Sequence, residues 1–154
     1  TALPIYKHLV ADIVIISIFY SFLTYYRHKS DFFDNIKVLP DLNANGKLTL
    51  GENTADHGGL NIAYQALQNA MQQHPLDTKD GFTPNQRFFL SYGLIWANNT
   101  REAMLRQLVK TDPHAPARWR VNGALPHIDA WYKAFNITSK DPLFISKKNR
   151  VDVW

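Results

Sequence analysis

Apolar positions at helical spacing organise most of this chain. Leu60, Tyr64, Leu67 and Met71 recur at intervals of three and four residues, which predicts a helix from Glu52 to about Gln73 with Pro75 just beyond its end. In "TPNQ", Thr83 is placed to cap a second helix, Pro84 suits its first position and Gln86 can complete a capping box ahead of the apolar run Phe88 to Trp96. Thr100 is the expected cap of a third helix, running to about Lys110. "TDPHAPARWRVNGALPH" carries three prolines and reads as an irregular loop, after which Ile128, Trp131, Tyr132 and Phe135 share one face of a final helix. Before the first helix, Pro40 and Asn45-Gly46 mark a loop or short extended connection. The fold class is therefore mainly α, with no βαβ alternation and no internal repeat.

One stretch breaks the amphipathic pattern. From Ile13 to Thr24 the chain is apolar apart from two serines and a tyrosine hydroxyl, and Asp12 stops the run short of the ~18 residues of a spanning helix. Three readings stay open: a buried or interface-forming segment, a membrane-associated one, or the remnant of a targeting region. An apolar run of this length also invites self-association, so a homo-oligomer formed through it is one expected partner arrangement. If the segment is structural, it is expected to pack as a helix on the Glu52–Met71 helix or across a dimer interface.

Composition narrows the function classes. A chain of 154 residues with 45% hydrophobic content can bury one real core. The formal charge is +4, but Arg101, Arg106, Lys110, Arg118 and Arg120 are interleaved with other residues rather than clustered, so no nucleic-acid partner is expected. The absence of cysteine excludes disulfides, thiolate metal sites and cysteine nucleophiles. No G-x-S-x-G, G-x-G-x-x-G or Walker sequence occurs.

The chemistry-bearing stretch is "GENTADHGGL". Glu52 and Asp56, four residues apart, project from one helix face a turn above each other, so one can ligate a cation while the other orients a neighbouring ligand. Two acids near a helix N-terminus also suit its dipole, at ~0.3–1 kcal/mol each. That simpler account leaves Gly58 and Gly59 unexplained, since each costs roughly 1 kcal/mol inside a helix, and the pair points to close helix approach.

"NGKLTLGENTADHGGL", then "TPNQRFFLSYGLIWA", "TDPHAPARWRVNGAL", "AWYKAFN" and a terminal "RVDVW" follow in the order seen in neprilysin-like and endothelin-converting-enzyme-like zinc metallopeptidases, which the chain closely resembles from about residue 34 to 154. The resemblance implies the helical C-terminal portion of a zincin-like catalytic domain at 34–154, preceded by an atypical apolar segment at 1–33. It implies zinc as cofactor, a peptide as substrate and a periplasmic or extracellular location. Glu52 matches the third protein ligand to zinc, and Asp56 the aspartate that holds a zinc-bound histidine. His114 matches the histidine that donates to the oxyanion, Arg120 the arginine on a substrate carbonyl, and Trp96 a tryptophan of the pocket beyond the scissile bond.

The departure lies in what is missing. Such enzymes take two ligands and the general base from H-E-x-x-H, and none of the six histidines here has another four residues away. His57 lies roughly 140° round the helix from Glu52 and does not replace them. The chain is accordingly expected to be a fragment or truncated homologue of a zinc metalloendopeptidase, inactive alone, with zinc absent or weakly bound. The alternative is a non-catalytic helical module that binds a partner or itself.

Overall fold

The computed structural model describes residues 23–151. The expected packing of the Ile13–Thr24 segment falls almost wholly outside them. Among the described residues no helix is long and apolar enough to cross a membrane.

Helix α1 occupies residues 23–34 of the described part and leads into a small antiparallel hairpin, β1 (Lys37–Leu39) with β2 (Leu42–Asn43), in which Lys37 pairs with Asn43 and Leu39 with Leu42. Pro40 and Asp41 make the turn, where a missing N–H does no harm to the ladder. Helix α2 (Gly46–Gln73) follows, starting six residues before the predicted start at Glu52. Its start is fixed by polar chemistry: the Asn45 side chain accepts from Leu48 N–H at 2.9 Å and Asp34 accepts from Gly46 N–H at 2.6 Å. Gly46 is required there because a Cβ would collide with the Ser30 carbonyl oxygen, so its bare backbone lets the end of α1 lie against the start of α2.

Helix α3 (Pro84–Ile95) carries the predicted capping box, with Gln86 N–H donating to Thr83 Oγ1 at 3.2 Å and Thr83 N–H to Gln86 Oε1 at 2.9 Å. The Gln86 amide also reaches the Ala134 carbonyl at 2.9 Å, tying α3 to the last helix. Helix α4 (Glu102–Thr111) is capped by Arg101 without a side-chain bond, so Thr100 is not its cap. The expected irregular loop contains helix α5 (Ala117–Asn122) and a 3₁₀ turn, Leu125–His127, because its prolines fall at residues 113, 116 and 126 and leave 117–122 free to coil. Helix α6 (Asp129–Phe135) ends on Asn136 in the left-handed conformation.

Two clusters hold these elements. Leu60, Phe89, Leu125, Ile128, Trp131 and Tyr132 join α2, α3 and α6, and Phe33, Ile36, Ala44 and Ala115 join α1 and the hairpin to the start of α5. Each fully buried large side chain is worth roughly 1.5–3 kcal/mol. Of the two adjacent glycines only Gly58 is buried; Gly59 is exposed, with nothing within 4 Å of an added Cβ. The close-approach expectation is therefore corrected at Gly59, which points away from the packed face of α2.

Candidate active site

Glu52 and Asp56 stand one turn apart on α2, and each meets a residue from the stretch following α4. Glu52 Oε2 lies 3.2 Å from His114 Nε2, with both side chains a little over two-fifths exposed. The other ring nitrogen of His114 lies 2.8 Å from Asp112 Oδ1, which also accepts the His114 backbone N–H at 2.8 Å. These two bonds hold the Asp112 carboxyl below its usual range and fix the imidazole between two carboxylates. Pro113 and the T-D-P-H turn make this possible by folding Asp112 back on the residue two positions later.

Asp56 makes the stronger contact. Arg120, from the last turn of α5, donates Nε to Oδ2 at 2.7 Å and Nη2 to Oδ1 at 2.6 Å, a bidentate fork in which the two side chains are only 15% and 13% exposed. The opposed carboxylate raises the arginine's already high pKa, so it is a permanent cation here. The Arg120 guanidinium lies 3.8 Å from the Trp96 ring centroid, a cation–π contact, and Tyr92 in the last turn of α3 donates its hydroxyl to the Arg120 carbonyl at 3.1 Å. Burial, reinforced by Asp56, pushes that phenol up to about 12, which keeps it a donor. Nη1 of Arg120 has no bond among the described residues. A cavity of about 230 Å³ opens between Trp96, Asn98, Asp112, His114 and Arg120. A larger one, about 510 Å³, is lined instead by residues such as Tyr64, His127 and Arg150 and touches none of the predicted site residues.

Behind the exposed pair lies a buried basic group. Lys29 of α1 is fully buried, with Nζ 3.1 Å from Nδ1 of His57, and the His57 ring sits 5.7 Å from that of His127. Desolvation pulls the Lys29 ammonium down to about 7 although Asp56 works against it, and burial with Lys29 nearby takes His57 down to about 3. His127 falls to about 2, chiefly by burial, and its Nδ1 accepts Val151 N–H at 3.1 Å.

Of the five residues singled out in the sequence, Trp96, His114 and Arg120 line one cavity, and Glu52 and Asp56 meet it through their contacts with His114 and Arg120. Sequence reasoning missed Asp112, Tyr92 and Lys29. The two-residue spacing of Asp112 and His114 was a usable signal for the first. Among the described residues no three His, Cys, Asp or Glu side chains group to hold a metal. Glu52 suits one zinc ligand position, but zinc takes three protein ligands at a catalytic site, so the described residues alone do not complete one.

The model of Peptidase family M13 matches residues 21–151. The chain belongs to peptidase family M13. Human endothelin-converting enzyme 1 is 39% identical over 115 residues, covering 71% of this chain and 14% of the relative. The rat endothelin-converting enzyme-like 1 is 35% identical over 126 residues, covering 79% of the chain and 16% of the relative. Among solved structures, the Mycobacterium tuberculosis zinc metalloprotease Zmp1 in complex with an inhibitor superposes with a TM-score of 0.82 at 32% identity, over 86% of this chain and 21% of that one. PepO from Lactobacillus rhamnosis gives 0.73 at 30% identity, over 87% and 20%. The mainly α architecture is thus that of an M13 metallopeptidase, and the chain spans about a seventh of the length of the first curated relative.

Proposed function

We propose that this chain supplies one wall of the catalytic centre of a zinc metalloendopeptidase: the third metal ligand and the groups that grip the peptide backbone. The observation that carries the reading is the convergence of the His114–Glu52 and Arg120–Asp56 pairs on the cavity beside Trp96. Arg120 is anchored through two of its nitrogens and stacked on Trp96, which leaves Nη1 to donate to a substrate carbonyl with little further loss of side-chain freedom. His114, oriented by Asp112, presents Nε2 beside Glu52, where a donor can meet charge developing on a carbonyl oxygen. Glu52 would give a carboxylate oxygen to zinc, and Asp56 would hold a metal-bound histidine as well as Arg120.

By this reading the 154 residues are inactive alone, since they hold no H-E-x-x-H. By the same reading, peptide hydrolysis belongs to the complete protein and takes place outside the cytoplasm. Purified chain is expected to retain sub-stoichiometric zinc after dialysis and to leave a fluorogenic peptide uncut. Stoichiometric zinc together with chelator-sensitive cleavage would overturn it. A second reading, a helical partner-binding module, draws support from α3, where Leu94 and Ile95 are 76% and 72% exposed.

A further inference from the structure

Arg120 is fixed at its main chain as well as at its guanidinium. α5 is six residues long, too short to pair the carbonyls of its last turn internally. Ala124 N–H, which a continuing helix would give to the Arg120 carbonyl, goes to the Val121 carbonyl at 3.1 Å instead. The Tyr92 hydroxyl takes its place, donating to the Arg120 carbonyl at 3.1 Å. One helical turn further on, at the C-cap of α3, the Trp96 ring lies 3.8 Å from the guanidinium of the same residue. We propose that Tyr92 is a positioning residue for Arg120: by holding its carbonyl, the hydroxyl pins the last turn of α5 to α3 and sets where the guanidinium stands over the Trp96 ring. This rests on the reading of Arg120 as the carbonyl-binding group, and names what aims that group at its substrate.

The Asp56 fork does not fix that place by itself. Its bonds hold the far end of a long side chain, whose methylene stem can change rotamer and keep both bonds while α5 moves. Such movement slides the guanidinium across the Trp96 face and changes the direction of Nη1, the nitrogen left for substrate. Holding the carbonyl removes that freedom, because Arg120 is then fixed at the backbone by Tyr92 and at the guanidinium by Trp96 and Asp56. α3 is itself anchored elsewhere, by the Gln86 amide on the Ala134 carbonyl at 2.9 Å and by Phe89 in the core, so Tyr92 and Trp96 are presented from a fixed frame. The Tyr92 ring has a separate role, packing against the cluster of Leu60, Phe89 and Trp131. Phenylalanine keeps that packing and removes the hydroxyl alone.

The test is NMR of the full chain without peptide, so its failure is distinguishable from a failure of Arg120 to bind substrate. Two signals are compared between the unaltered chain and Tyr92→Phe: the Arg120 carbonyl carbon, which senses the hydroxyl bond, and the Arg120 side-chain protons, which the ring current of Trp96 displaces. Trp96→Ala gives the position of those protons without the ring. In Tyr92→Phe, still melting cooperatively, the carbonyl signal is expected to shift and the side-chain protons to move most of the way to their position in Trp96→Ala. Tyr64→Phe, which takes a hydroxyl from another tyrosine packed on the same cluster, is expected to leave both signals in place. In the unaltered chain the Tyr92 hydroxyl proton is expected to exchange slowly with water. Fast exchange there, side-chain protons that stay in place in Tyr92→Phe, or an equal displacement in Tyr64→Phe would overturn the proposal.

Discussion

Replacing Lys29 by methionine should make the protein more stable at pH 6 and less stable at high pH, and the crossing is the informative part. Methionine fills much the same space as the lysine stem in a fully buried position. The fall of the lysine from its ordinary 10.5 to about 7 corresponds, at about 1.4 kcal/mol per pH unit, to a cost on the order of 5 kcal/mol for folding with the amine charged. Between these two values the unfolded chain binds the proton and the folded chain does not, so the native protein gains stability as pH rises through that window. Lys29→Met removes this dependence and leaves His57 Nδ1 without its 3.1 Å partner, a loss of about 1–3 kcal/mol. The variant is thus expected to be about 2–4 kcal/mol more stable at pH 6, with the difference shrinking and changing sign toward about pH 10. Urea unfolding of both proteins at matched pH values measures it. A difference that is constant with pH would refute the reasoning, since a purely packing effect carries no proton linkage.

The remaining predictions bear on other parts of the fold. Wild-type stability should fall as pH drops from about 6.5, where the unfolded histidines take up protons that His57 and His127, held near 3 and 2, refuse; glutamine at both positions should flatten that slope in a pH series of thermal melts. Gly46→Ala should destabilise by at least the roughly 1–3 kcal/mol typical of overpacking, because its Cβ meets the Ser30 carbonyl, whereas Gly59→Ala, with open space around it, should raise stability by up to about 1 kcal/mol; equal melting temperatures for the two would contradict the packing described. A double-mutant cycle on Asp56→Ala and Arg120→Ala should return a coupling of about 2 kcal/mol or more, because neither side chain is more than 15% exposed; a coupling near zero would mean the fork is open in solution.

What the sequence disclosed depended on whether a local rule was at work. The capping box at Thr83 and Gln86 and the buried face of α6 needed no knowledge of the rest of the chain, and both are present. The start of α2 was hidden because the residues between Gly46 and Glu52 are held by Asn45 and Asp34 rather than by an apolar stripe. α5 was hidden by the prolines around it, which mask a six-residue helix from any periodicity argument. At the site, the one-face placement of Glu52 and Asp56 followed from helix geometry. Their partners did not: Arg120 is 64 residues from Asp56, and its position was suggested only by family resemblance. Lys29 gave no signal, since a lysine among polar residues reads as a solvated one, and its burial against His57 is purely tertiary.

The central claim is that the cavity between Trp96, His114 and Arg120 grips a peptide backbone, and a titration of the isotopically labelled chain with an unstructured peptide tests it most directly. The account predicts shift changes concentrated at the Trp96 indole, the His114 ring and the Arg120 side chain, and their loss in Arg120→Ala with the fold retained. Changes confined to Leu90, Leu94 and Ile95 on α3, or binding that Arg120→Ala leaves unaltered, would contradict it.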